Sequence, residues 1–590
     1  MKGALMRSAN LKVALRIGVA LTACIAMAAC SKSGMGAATG PHIDTILKNG
    51  NFYTLDEEHP HASAVAISEG VIVAVGDWDT LKGSIDEATK VVDLQEHVVL
   101  PGFHDMHVHP IFAGLLSQRC LIEQGSTLEM IQEGVKACVA KAEPGDWVVG
   151  GQWDASAIGG APTHEALDAV ASDNPVVLSD TSEHSIWVNA KALEIAGVTK
   201  DTPDPEGGII ERDANGEPTG VFRESAVGLV RSKVPQPSEE QLRSALSWSL
   251  EKMLSYGITD FTVAALGHSS TMEKELAVYD KMADEGVLKQ RVRLCMSYVV
   301  SPQQTEDEHA LRIIEDHASY DRDRLSVDCV KMFLDGVPTD SHTAAMLEPY
   351  EGSVPNRETG TDYGLLLVDQ KTLDAAVTRF DAMGLGVKFH AAGDAAVRAG
   401  LNAIEAARKA NGPGGPLHDV GHCTFVSKDD VPRAASIKAT YEVSPYLWAP
   451  SPINDSITEA IGPKRIKRVW PVRELIESGA LVIPGSDWAV VPSVNPWIAV
   501  ETLVTRERPG GSADSFGKGE AISLDQAIRL FTVNASRHTG DEDKLGRIRP
   551  GMLADMIVID RDPYEIPVTE LHQVEVLNTI INGEVVYAAQ

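Results

Sequence analysis

Eight short apolar runs, alternating with stretches whose apolar residues recur at helical spacing, occupy residues 98–487 and leave few folds open. They are Val98–His109, Gly257–Val263, Val292–Val299, Leu325–Phe333, Gly386–His390, Asp419–Phe425, Ala439–Val443 and Leu481–Asp487. Strands alternating with helices signal a parallel sheet, and eight such units predict an α/β chain folded as a (β/α)8 TIM barrel with its chemistry at the C-terminal strand ends. Gln241–Ser255 is apolar at helical spacing, with Gly257 where a terminating glycine belongs. The interval between the first two runs is far longer than an ordinary βα connection, so residues of about 111–240 are predicted to form an inserted subdomain. The catalytic domain then spans 98–540.

Both ends of the chain have a different texture. Short β-like runs separated by Gly and Asn occupy Asp44–Gly50, Ala64–Ile67 and Val71–Gly76, and similar ones recur at Ala554–Asp560 and Val576–Tyr587. Residues 42–97 and 541–590 are therefore expected to build one composite β-sandwich.

Ahead of them, Lys2, Arg7, Lys12 and Arg16 precede Ile17–Ala29, an uncharged run too short to span a bilayer. Residues 1–30 read as a signal peptide and 31–41 as a small-residue linker. Met27-Ala28-Ala29-Cys30 resembles a bacterial lipoprotein signal, which makes Cys30 the lipidated residue. Cleavage before Cys24 would leave too short an apolar core, and simple cleavage without lipid is the alternative. The expected location is the periplasm or the outer membrane of a bacterium, with a lipid as the only membrane attachment. Cys120, Cys138, Cys295, Cys329 and Cys423 show no Cys-x-x-Cys spacing and are expected to be buried thiols, although Cys120 and Cys138 could pair in an oxidising compartment.

The 590 residues carry 52 Lys plus Arg against 83 Asp plus Glu, a net charge of −31 that argues against nucleic acid or an anionic lipid surface as a partner. A small molecule is the expected partner, and a homo-oligomer is compatible with everything read so far.

The chemistry starts at His107-Val108-His109, where alternation along a strand aims both imidazoles the same way, about 6–7 Å apart. Alone, such a pair arises easily by chance. Yet Lys331, His390, His422 and Asp487 stand at or beside the ends of the fourth, fifth, sixth and eighth runs, which turns the pair into part of a metal site. His104 is expected to be structural.

With these residues the chain resembles the metal-dependent amidohydrolase superfamily, and within it the amidohydrolase family 3 group that includes N-substituted formamide deformylases. The resemblance extends to Gly151-Gln152-Trp153-Asp154, Ser182–Asn189, Thr202–Gly208, Gly216–Gly220, Asp335-Gly336-Val337, Leu545–Ile548 and Ala554-Asp555. It implies two divalent ions, zinc by ligand type, with His107 and His109 on the buried one and His390 and His422 on the exposed one. It also implies a carbamylated Lys331 as the bridge, and Asp487 both as a ligand and as the general acid/base that moves a proton from a metal-activated hydroxide to a leaving amine. The implied reaction is hydrolysis of a non-peptide C–N bond, in an N-acyl or N-formyl compound. Alternatives are a deaminase or esterase on the same fold, or a non-catalytic binding lipoprotein.

Three departures stand out. Gly393-Asp394-Ala395-Ala396 replaces a frequent Gly-Asp-Arg-Ala, His342 replaces a frequent Arg before Thr343, and Asp419-Val420-Gly421 precedes His422 without the usual acidic neighbour. Trp153, His184, Trp187, His342 and Trp448 are the expected substrate contacts. Deleting residues 554–590 is expected to destabilise the N-terminal strands, measured as loss of a cooperative thermal transition; an unchanged midpoint would refute the shared β domain.

Overall fold

The run expected as one strand from Val98 to His109 divides at Gly102 in a computed structural model, which describes residues 42–589 other than 124, 155–156, 161, 181–184, 206–207, 300–307, 340–341 and 352–361. The cause is steric: a Cβ at Gly102 would lie 2.3 Å from Thr259 Oγ1, so only glycine lets the chain pass there. Val98–Pro101 pairs antiparallel with Met556–Ile559 near the C-terminus, whereas Phe103–Val108 opens the barrel. The cleavage site, Cys30, the signal segment and the linker lie outside the described residues.

The barrel strands are β1 (Phe103–Val108), β2 (Ile258–Leu266), β3 (Arg291–Ser297), β4 (Leu325–Phe333), β5 (Gly386–Ala391), β6 (His418–His422), β7 (Ala439–Val443) and β8 (Leu481–Pro484). They pair in sequence order and all in parallel, as a TIM barrel requires. Residues just past β8 complete the ring against β1: Asp487 N–H donates to His107 O at 2.7 Å and His109 N–H to Trp488 O at 2.6 Å.

The helix Glu239–Leu254 starts with a capping box between Ser238 and Gln241. Its Leu242, Leu246, Leu250 and Met253 share the main core with Ile111 and Ala113 of the helix Pro110–Ser117. A Cβ at Gly114 would meet Ala245 O at 2.0 Å, which fixes how closely these helices approach. Both helices thus belong to the barrel's outer layer. The insertion is therefore narrower than 111–240, with a six-stranded sheet running from Cys120–Leu121 to Pro218–Glu224.

The chain ends meet in one sheet of eight hydrogen-bonded strands, seven along one path and Lys90–Asp93 branching from Thr45–Tyr53. Val98–Pro101 sits centrally in it, between Thr45–Tyr53 and Met556–Ile559. Leu47, Phe52, Val65, Val99, Met556, Val558 and Ile580 form its core. Arg291, at the start of β3, hydrogen-bonds Asp555 and Asn582 and ties the barrel to this sheet.

Four of the five cysteines are bonded, including the Cys120–Cys138 pair that the sequence left open. Cys120 pairs with Cys138, and Cys295 with Cys329, while Cys423 is free and buried. The second pair was hidden by its 34-residue separation; register places Cys295 on β3 directly opposite Cys329 on β4. Among the described residues no helix is long and apolar enough to cross a membrane.

His104 is fully enclosed, its Nδ1 3.9 Å from Asp260 Oδ1, and burial pushes its pKa down to about 3. An unfolded histidine titrates near pH 6.5, so the unfolded chain takes up a proton between pH 6.5 and 3 that folded His104 refuses. Stability carried at this position is complete above pH 6.5 and falls as pH drops. Urea unfolding should show that His104→Gln loses about 2 kcal/mol less than wild type between pH 6.5 and 5; equal losses would refute the assignment.

Candidate metal centre

Four imidazoles surround one space at the C-terminal ends of the barrel strands. The ring centroids of His107 and His109 are 5.5 Å apart, those of His107 and His422 4.8 Å, and those of His422 and His390 4.8 Å. Asp487 lies three residues past β8 with φ +60°, a left-handed conformation that Asp tolerates better than most residues. The closing backbone bond to His107 brings its Oδ1 to 3.2 Å from His109 Nε2 and 3.5 Å from His107 Nε2.

Hydrogen-bond partners decide which ring nitrogens keep a lone pair. His107 Nδ1 stands 2.8 Å from Glu442 Oε2 and must donate to it, which leaves Nε2 as an acceptor. His390 Nε2 donates to Gly336 O at 3.0 Å, which leaves Nδ1. Ser444 donates its hydroxyl to Glu442 Oε1 and so accepts from His422 Nδ1 at 3.0 Å, which leaves Nε2. The lone pair on His107 Nε2 consequently faces the Asp487 carboxylate with no proton to share. Two acceptors set against each other in a buried site fit a cation between them, and a set of His nitrogens with one carboxylate suits a divalent transition metal.

Burial holds these rings in the neutral, ligating form. It pushes His390 down to about 3, and it lowers His107 and His422 as well, with the Lys331 charge adding to the shift of each. Burial alone would raise the Asp487 carboxyl; only positive charge at His107, His109 and His422, or a cation held between them and the carboxylate, brings the group below the usual carboxylate range. Lys331 is buried on β4, opposite Lys388 on β5. Desolvation first, and the Lys388 charge second, bring its amine down to about 8. Among the described residues no carboxylate lies within ion-pair distance of it. All six residues expected in the centre are thus gathered at one end of the barrel.

The expected substrate contacts fare differently. Trp153 and Trp187 lie in the insertion's own core, packed edge to face at 6.2 Å, with their ring N–H groups donated to Leu178 O and Thr163 O. Side chains so enclosed offer no surface to a ligand, so Trp153 and Trp187 act here as packing residues. Trp448 is also buried, stacked on Trp470 at 5.4 Å with the Arg506 guanidinium 4.5 Å from its ring. His342 bonds Asp362 at 2.8 Å and stacks on Tyr350 at 4.2 Å, buried within its loop. His184 lies outside the described residues.

Several residues around the centre were not foreseen. Glu442 was read only as part of a strand, and the glycine before His422 was the one hint that an acidic group had to come from elsewhere. His268, exposed two residues past β2, lies with its ring 4.9 Å from that of His109 and tilted by 30°, and meets Phe112 edge to face at 5.0 Å. Its loop is pinned by Glu275, whose carboxylate accepts from the N–H groups of Gly267, Ser269 and Ser270. Phe333, 40% exposed at the end of β4, lies 5.8 Å from the His390 ring and 5.0 Å from Lys331 Nζ. Asp335 accepts from the N–H groups of Ala345, Ala392 and Gly393 and fastens the loops after β4 and β5 together.

A parallel barrel that gathers four imidazoles, a carboxylate and a buried amine at its catalytic end is the architecture of a metal-dependent hydrolase. The model of the amidohydrolase family matches residues 90–587, and the chain belongs to that family. A Bacillus subtilis protein named amidohydrolase YtcJ is 28% identical over 92% of this chain and 99% of its own length. The N-substituted formamide deformylase of Arthrobacter pascens is 27% identical over 92% of this chain and 98% of its own. Among solved structures, a metal-dependent hydrolase from Pyrococcus furiosus superposes with a TM-score of 0.70 at 24% identity, covering 88% of this chain and 100% of the other.

After chelation, titration with Zn²⁺ followed by elemental analysis should restore at least one equivalent, and a His107→Ala/His109→Ala variant should lose at least one. Full stoichiometry in that variant would overturn the assignment.

Proposed function

We propose that the protein hydrolyses a C–N bond of a non-peptide amide, an N-acyl or N-formyl compound. The observation that carries this reading is the Asp487 carboxylate, whose Oδ1 lies within 3.5 Å of Nε2 of both histidines of the β1 pair. A group so placed accepts a proton from water and returns it to the departing nitrogen, which amide cleavage needs because an unprotonated amine is a poor leaving group. Divalent metal, two zinc ions in this reading, supplies an acidified water and a polarised carbonyl when held by His107, His109, His390 and His422 with Lys331 as a carbamate. The depressed lysine pKa supports that last assignment, since the neutral amine is the form that adds CO₂. His268 and Phe333 line the mouth as a hydrogen-bonding and an apolar contact for the acyl part or the N-substituent. A relative named as an N-substituted formamide deformylase supports the substrate class.

A deaminase commonly places a proton-shuttling Glu three residues after the β5 histidine. Here that position is Gly393, where a Cβ would come within 2.0 Å of Ala345 O, so no side chain fits. An esterase is separated by its leaving group, because an alkoxide leaves with less help from a proton. We also propose that the protein is exported and lipid-anchored through Cys30; the Cys120–Cys138 and Cys295–Cys329 pairs support an oxidising compartment.

The test is a panel of N-formyl amines, N-acyl amines and matched esters on the zinc-loaded protein. Amine and carboxylate should appear together from the amides. Asp487→Asn should lower amide turnover by about 10²–10⁴-fold and ester turnover less, and His268→Ala should lower kcat/KM for the amides with metal content unchanged. Ammonia without carboxylate from amine substrates would favour a deaminase, and bound zinc with no turnover across the panel would favour a binding protein.

A further inference from the structure

We infer that Glu442 of β7 is the positioning residue for both halves of the metal centre: it sets the ring tautomer of His107 directly and that of His422 through Ser444. The inference rests on the metal-centre reading above. Glu442 has no solvent exposure, and its two oxygens are divided between the two arms. Oε2 accepts from His107 Nδ1 at 2.8 Å; Oε1 accepts from the Ser444 hydroxyl at 3.2 Å, whose oxygen in turn lies 3.0 Å from His422 Nδ1. One carboxylate therefore turns a lone pair of a histidine from β1 and one from β6 toward the same space. Carboxylates that hold a ligating histidine in this way raise its basicity and its affinity for metal.

The surrounding chain is cleared to admit this side chain. A Cβ at Gly421, the residue before His422, would stand 2.1 Å from Glu442 Oε2. A Cβ at Gly485, past β8, would stand 3.0 Å from Oε1 and 2.2 Å from the His107 Cβ. Glycines on both neighbouring segments thus form a slot one carboxylate wide. The acidic neighbour missing from the sequence before His422 is supplied in space from the adjacent strand, in the volume a side chain at 421 would fill.

A purely structural account would make Glu442 the counter-ion of buried Lys388. The distances oppose it. Lys388 Nζ is 2.6 Å from Asp419 Oδ1 and 3.9 Å from Glu442 Oε2, so the lysine already has a nearer partner, whereas the shortest contact of Glu442 is to the histidine.

The experiment is competition for Zn²⁺ between the metal-free protein and a chromophoric chelator, with histidine tautomers read in parallel by ¹⁵N NMR. Glu442→Gln keeps the shape and removes the charge; it should weaken zinc binding at least tenfold and convert His107 from the pure Nδ1–H form to a mixture, while the urea midpoint of the metal-free protein stays within error. Ser444→Ala leaves Glu442 and Lys388 in place and should weaken one of the two binding steps and release the tautomer of His422 alone. Zinc affinities within twofold of wild type in Glu442→Gln, or in Ser444→Ala should Glu442→Gln not fold, would overturn the inference. A wild-type protein that binds no zinc would instead overturn the metal-centre reading itself.

Discussion

Two backbone hydrogen bonds, Asp487 N–H to His107 O and His109 N–H to Trp488 O, close the barrel, and the chemistry depends on where they fall. β8 ends at Pro484, and the chain past it is held on β1 by these bonds together with those of Ser486, whose N–H donates to Asp105 Oδ1 at 2.9 Å and whose hydroxyl donates to His107 O. They set the Asp487 side chain beside the β1 histidines, in a left-handed conformation that an unanchored chain would leave. Closing the ring and placing the Asp487 carboxylate are therefore the same event. A barrel left open at this seam would keep its histidines and lose the carboxylate set beside them.

Charged groups buried beneath the mouth explain how so polar an interior stays ordered. Asp335, Glu275 and Glu442 are each nearly solvent-free, and each spends its oxygens on groups that define the site: backbone N–H groups of the loops after β2, β4 and β5, or the ring of His107. Lys388 is matched by Asp419, which also faces His538. Ions so satisfied contribute little net stability, but removing one partner strands the other in low dielectric, so the network specifies one arrangement. Lys331 is the exception: among the described residues no carboxylate lies within ion-pair distance of it, and burial, with the Lys388 charge beside it, brings its amine down to about 8.

The barrel and the polar residues gathered at its mouth were legible because both follow local rules. Period-2 alternation put His107 and His109 on one side of a strand, and the strand-end rule pointed to Lys331, His390, His422 and Asp487. What the sequence concealed depends on contacts between distant segments. Glu442 meets His107 across 335 positions, and Cys295 meets Cys329 only once β3 and β4 pair in register. The run from Val98 to His109 carries a local mark of its division in Pro101-Gly102, but the clash that demands glycine there comes from the distant Thr259. Trp153 and Trp187 were misjudged for a related reason. An aromatic residue in an insertion reads alike whether it faces a ligand or its own subdomain's core, and only the packing around it tells the two apart.

The terminal sheet has a bearing on the order in which the molecule can be completed. Val98–Pro101 pairs on one side with Thr45–Tyr53, made early, and on the other with Met556–Ile559, made among the last residues. Until that late strand arrives, Val98-Val99-Leu100 presents an unpaired apolar edge of the kind that recruits other chains. Pairing across nearly the whole sequence is also slow, because its loop-closure entropy must be met before the contact is gained. The nascent protein thus passes through a long interval with its barrel strands emerging in order and its first sheet unfinished. Chaperone demand and aggregation during synthesis should be governed by this edge more than by the metal centre.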